Sequence, residues 1–104
     1  MRVPMEPMKR LLFWLLDGTK GGPTRVRLLS LLSKRPMNMR QLSIAAGLDY
    51  KTAEHHVQLL MKNSVLECTG NGYGQVYFIS DIATAQKEFA GMIRGGKNGR
   101  KEKN

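Results

Sequence analysis

The chain has 104 residues, with 17 Lys plus Arg against 8 Asp plus Glu, for a formal charge of +9. That length gives one domain near the small end for an independent core, and the charge is the electrostatic footprint of a phosphate-binding protein. The apolar run Leu11 to Leu16 spans six residues and ends at Asp17, too short for a signal core of about 7 to 15 residues or a membrane span of about 20, so a cytoplasmic, nucleoid-associated protein is expected.

Residues 1–7 read as a flexible N-terminus, ahead of a single domain over 8–93 and a basic tail over 94–104. Met8 to Leu16, MKRLLFWLL, is apolar on nearly every side, and such a helix must be covered all round. Either the monomer core or a second copy of the chain can cover it, and the small size of the domain favours the second copy. The next helix, Thr24 to Lys34, follows Gly21, Gly22 and Pro23 and is stopped by Pro36, positions where helices tolerate proline. Val26, Leu28, Leu29, Leu31 and Leu32 read as core. Arg25, Arg27, Lys34 and Arg35 read as outward, either against phosphate or as a solvated face.

Asn38 is a good N-cap, with Gln41 three residues on to complete a capping box, so a helix starts at Met39. Leu42, Ala45 and Ala46 form its inward face, Gly47 ends it in a left-handed conformation, Leu48 fills the wedge and Asp49 caps the next helix. In that helix, Tyr50 to Asn63, Ala53, Val57, Leu60 and Met61 make an inward stripe, and Lys51, His55, Gln58 and Lys62 the opposite one. A stripe of donors is what a major-groove reading helix needs, although any surface helix also has a polar face.

The strand-like runs Leu66 to Thr69 and Gln75 to Ile79 flank Gly70, Asn71, Gly72, Tyr73 and Gly74, which supply the positive backbone angles of a hairpin loop. A glycine-rich hairpin directly after a polar second helix is the plan of a winged helix-turn-helix. Tyr73 at its tip either lies against a sugar or phosphate or packs on the hairpin itself. The last segment, Ile82 to Ile93, is capped by Ser80 or Asp81 and sets Ile82, Ala85, Phe89 and Met92 or Ile93 on one stripe, for the monomer core or for a dimer. The final ten residues hold four cations and one anion, so the body without them is still +6. With no apolar residue to fold around, this tail reads as disordered, a solubility tail or a phosphate-tracking arm.

The stretch MRQLSIAAGLDYKTAEHHVQLLMKNSVLE, the strand VYFIS after a glycine-rich wing, and the pair His55 and His56 before an apolar run resemble the ArsR-type winged helix-turn-helix transcription regulators, in particular small archaeal members. RLLFWLLDGTKGGPTRVRLLSLL is similar to their two leading helices, so the resemblance covers roughly residues 8–93. It implies that the helix from Tyr50 is the recognition helix, that Tyr50, Lys51, Thr52, Glu54, His55 and Gln58 face DNA, and that His56 leans towards the core. Metal-sensing members carry a cysteine pair in the first helix of the motif, or Asp and His clusters in the last. Here the first contains Met39, Arg40, Gln41, Leu42, Ser43 and Ile44, and the last has neither His nor Cys, which disfavours metal sensing at those sites.

Catalysis has little support, since no carboxylate pair, phosphate-cradling glycine motif or nucleophile with its base can be identified. His55 and His56 point about 100° apart on a helix and cannot chelate one metal together. Cys68 reads as a small apolar filler.

The combined reading is a mainly α protein with a small β-hairpin, a winged helix-turn-helix whose extra N-terminal and C-terminal helices form a dimer interface. It binds double-stranded DNA sequence-specifically as a homodimeric transcription regulator, without cofactor or metal, through recognition helix 50–63 and wing 70–75. The DNA-binding residues are Arg40, Tyr50, Lys51, Thr52, Glu54, His55, Gln58, Lys62 and Tyr73. Lys51, His55 and Gln58 take the major groove, and Lys62, Arg40 and the wing take the backbone. Glu54 accepts from cytosine or pairs with Lys51 or Gln58. A sequence-indifferent chromosome-coating protein and a protein-interaction module docking through the first helix are the alternatives.

Overall fold

The computed structural model describes residues 7–70 and 72–94. The expectations for Asn71, for residues 1–6 of the N-terminus and for residues 95–104 of the tail lie outside that range. Among the described residues the elements follow in the order α1 Pro7–Leu16, α2 Gly22–Leu32, α3 Met39–Ala46, α4 Tyr50–Lys62, β1 Leu66–Thr69, β2 Val76–Ile79 and α5 Asp81–Thr84, with a 3-10 turn at Gly72–Gly74 between the strands.

The core is a layer of aliphatic residues contributed by every helix. Leu12 and Leu15 of α1, Leu28 and Leu29 of α2, Leu42 of α3 and Val57 and Leu60 of α4 are all fully buried, with Val65 and Leu66 closing the layer beneath the hairpin. In α2 the buried residues are Gly22, Arg25, Leu28, Leu29 and Leu32. The expected outward Arg25 is therefore inside, at 4% exposure. It stands three and four residues before Leu28 and Leu29, so it belongs to their stripe, and that spacing was a usable sequence signal.

The capping box of α3 forms as expected: Asn38 Oδ1 accepts from the Gln41 amide at 2.8 Å, and Gln41 Oε1 accepts from the Asn38 amide at 2.9 Å. Gly47 terminates the helix at φ 71°, a backbone conformation costly for a residue with a Cβ. The buried face is Met39, Leu42, Ser43 and Ala46, and Ala45 is exposed, contrary to expectation. Two stripes passed through Leu42, and burial of Met39 at the helix start selects the one that contains Ala46.

The hairpin pairs Leu66 with Ile79, Glu67 with Phe78, Cys68 with Tyr77 and Thr69 with Val76, antiparallel. Its outer edge is also occupied. Met37 exchanges backbone hydrogen bonds with Tyr77, donating at 3.2 Å and accepting at 2.8 Å. This bridge ties the chain ahead of α3 to the wing, a long-range pairing that no local pattern announces.

The C-terminal segment is not the single helix expected over 82–93. α5 stops at Thr84, residues 85–88 form turns, and residues 89–94 are helical again. Ser80, fully buried, caps α5 by accepting from the Ala83 amide while its hydroxyl donates to Ser64 O at 2.7 Å. Ala83, Phe89 and Ile93 are buried. On an unbroken helix Ala83 and Phe89 would stand about 120° apart. The break lets both reach the core and leaves Ile82, placed on the same stripe as Phe89 for the core or a dimer, 54% exposed. No helix among the described residues is long and apolar enough to cross a membrane.

Candidate nucleic-acid interface

α4 carries three distinct faces. Ala53, Val57 and Leu60 are buried against the core. Lys51, His55, Gln58 and Lys62 are all exposed, and helical geometry puts them within a sector of about 60° directly opposite. Tyr50 and Glu54 fall on the flank that turns to the hairpin. The Tyr77 phenol on β2 is held above its ordinary range mainly by burial, with added contributions from Cys68, Tyr50 and Glu54. Glu54 is half-buried there and Tyr50 half-exposed. Asp49 takes the N-cap position, and its carboxylate accepts the Thr52 hydroxyl at 2.7 Å, a bond that draws its pKa down.

Thr52 is thereby half-buried and engaged with Asp49, on the flank opposite Glu54. On that side His56 turns inward, as expected: its Nδ1 accepts from Arg25 Nη1 at 3.1 Å, while its ring meets that of His55 edge to face at 5.3 Å. Arg40 is exposed near the start of α3. In the hairpin, Gly70 and Gly72 both take positive φ, 85° and 52°. The Tyr73 side chain lies outside the described residues. Arg27 and Lys34, read as outward, either against phosphate or as a solvated face, line a groove with Phe13, Leu16, Val26, Leu31, Met92 and Ile93. Among the described residues no group of three or more His, Cys, Asp or Glu is arranged to hold a metal ion.

Residues 22–63, from the start of α2 to the end of α4, match the family model of bacterial regulatory proteins of the arsR family. The chain is also similar to a probable transcriptional regulator from Pseudomonas aeruginosa, at 21% identity over 84% of this chain and 69% of that one, with a TM-score of 0.63. The fold is a winged helix-turn-helix. The homodimeric winged helix-turn-helix DNA-binding domain of Mb0332 from Mycobacterium bovis, described as a possible ArsR-family transcriptional regulator, shares 20% identity over 98% of this chain and 92% of its own, with a TM-score of 0.58. Rv0081 of M. tuberculosis shares 24% over 88% and 97%, with a TM-score of 0.59. No curated protein matches the sequence. Within the winged helix-turn-helix, α3 and α4 are the helix pair, α2 leads into them, and β1 and β2 form the wing.

Proposed function

We propose that the protein is a sequence-specific, double-stranded DNA-binding transcription regulator of the ArsR type, acting as a homodimer at the chromosome in the cytoplasm. The observation that carries this reading is the exposed α4 sector of Lys51, His55, Gln58 and Lys62 on the second helix of the motif. Amide and imidazole groups read base edges, and ammonium groups neutralise phosphates. Tyr50, Thr52 and Glu54 flank that sector, Arg40 adds a backbone contact from α3, and Tyr73 with the wing glycines reaches the adjacent phosphates. Glu54, half-buried beside that sector, accepts from cytosine or pairs with Lys51 or Gln58. Control by metal at the family's usual cysteine positions is disfavoured, because residues 39–44 offer no thiolate or imidazole there.

The homodimer is supported by the apolar groove between α1, α2 and the C-terminal residues and by Trp14, 52% exposed on α1. A two-fold pair presents two reading helices to half-sites about 34 to 36 Å apart. The test is selection of bound duplexes from a random pool, then titration of the winner and a scrambled control at several salt concentrations. A palindrome bound about a thousandfold more tightly than the control is expected. Gln58→Ala should relax preference by about 1 to 3 kcal/mol at one base pair, and Lys62→Ala should weaken all sequences alike and shallow the salt slope. Equal losses from both variants on every duplex refute the division of roles. The absence of any enriched motif, with a steep salt slope on both duplexes, would mean chromosome coating instead.

A further inference from the structure

Behind the reading face, the side of α4 away from the wing is held by a single buried guanidinium. Arg25 Nε donates to Leu15 O at 2.9 Å, at the end of α1; Nη1 donates to His56 Nδ1 at 3.1 Å; and Nη2 donates to Thr19 Oγ1 in the turn between α1 and α2. One side chain therefore joins α1, that turn, α2 and α4. All three acceptors are neutral, and the chain makes room for the arrangement: a Cβ on Gly21 would stand 2.6 Å from Arg25 Nη1 and 3.0 Å from His56 Cε1. Because arginine only donates, His56 Nδ1 must be the unprotonated nitrogen, with any ring proton on Nε2.

We propose that Arg25 and neutral His56 are positioning residues that clamp the recognition helix to the α1–α2 turn, and that protonation of His56 opens the clamp and weakens DNA binding. A protonated Nδ1 turns an acceptor into a donor facing a donor, and it sets a second cation against a buried one. The charged groups that act on His56 are Arg25 from α2 and His55 from its own helix; on the turn, Thr19 and Gly21 stand against the clamp and the titratable Asp17 and Lys20 are exposed. Burial first, then Arg25, then His55, already hold the His56 pKa below its ordinary value. This inference rests on the DNA-binding reading for its effect, but not for the clamp itself.

The experiment compares wild type with His56→Gln, whose amide oxygen can still accept from Arg25 and whose side chain does not titrate. Both are titrated onto a mixed-sequence duplex of about 30 base pairs, long enough for two half-sites one turn apart, at about pH 7.5 and about pH 5.5. The ratio of the two affinities cancels His55, which both proteins keep. Wild type is expected to lose at least about fivefold relative to His56→Gln on acidification. A ratio that does not change with pH overturns the proposal. In parallel, amide resonances of residues 18–22 and of α4 in full-length wild type are followed with the His56 imidazole signal. Amides that titrate with that signal support the clamp, and amides that stay fixed while His56 protonates overturn it. No binding to the duplex at about pH 7.5 defeats the DNA-binding reading alone, because the resonances still decide the clamp.

Discussion

His56 and Arg25 stand next to each other without an anion between them, so the fold prefers the imidazole neutral. The ordinary histidine value is 6.5, and burial with the neighbouring guanidinium depresses it in the folded chain. The unfolded state therefore takes up a proton first as pH falls. Stability is fully present above about 6.5, declines as pH drops towards the lower folded value, and falls no further from this group below that. Asp49 and Glu88 are also depressed, by the Thr52 hydroxyl and by Lys9 at 3.1 Å respectively, but the stability they add is lost only as pH falls through the carboxylate range. The His56 window opens at a higher pH than theirs. Urea denaturation between about pH 7.5 and pH 5 should show wild type losing stability that His56→Gln retains. Parallel curves for the two proteins would mean that His56 titrates alike in the folded and unfolded chains.

At the scale of elements, what the sequence made legible was whatever is written locally. Asn38 with Gln41, Gly47 and the outward run of Lys51, His55, Gln58 and Lys62 needed only neighbours within one or two turns, and α3 and α4 begin and end where those residues put them. What was illegible depended on distant partners. Arg25 was read as outward from its charge although its spacing put it on the buried stripe; what no local pattern showed were the three acceptors, from Leu15, Thr19 and His56, that make its burial tolerable. The Met37 bridge to Tyr77 joins residues far apart in sequence. The C-terminal break is of the same kind, because Ser80 is anchored by Ser64 and fixes where α5 starts, while Phe89 and Ile93 must reach the core. Thr84 Oγ1 bonds back to Ser80 O and Asp81 O, and the Gln86 amide shifts to Ala83 O, three residues back, so the helical ladder tightens and ends. This division of faces has a measurable consequence. Phe89→Ala should cost about 3 to 5 kcal/mol, as truncation of a buried aromatic does. Ile82→Ala, at 54% exposure, should stay within about 0.5 kcal/mol. Comparable losses in urea melts would restore the unbroken helix, which puts both residues on one face.

For the whole molecule, the reading stripe and the apolar groove lie on different helices, so DNA affinity and self-association can be perturbed separately. Leu12, Leu15 and Leu16 of α1 face the core, whereas Phe13 and Trp14 do not, at 38% and 52% exposure. An indole that is half in water within its own monomer gains by covering in a second copy, and the groove lined by the neighbouring Phe13 offers the partly exposed Val26, Leu31 and Met92 for the contact. Trp14→Glu leaves the monomer core intact, because the side chain is not part of it, but it brings a carboxylate into any two-fold seam. Light scattering should give wild type twice the chain mass of 11.7 kDa and the variant that mass alone. Each α4 of a dimer binds its half-site at the effective concentration set by the other. Loss of the dimer should therefore lower affinity for a two-half-site duplex by about a hundredfold or more, while leaving affinity for a single half-site nearly unchanged. A wild-type monomer at high concentration that still binds the palindrome tightly would sink the paired model. It would leave the apolar face of α1 to a partner of another kind.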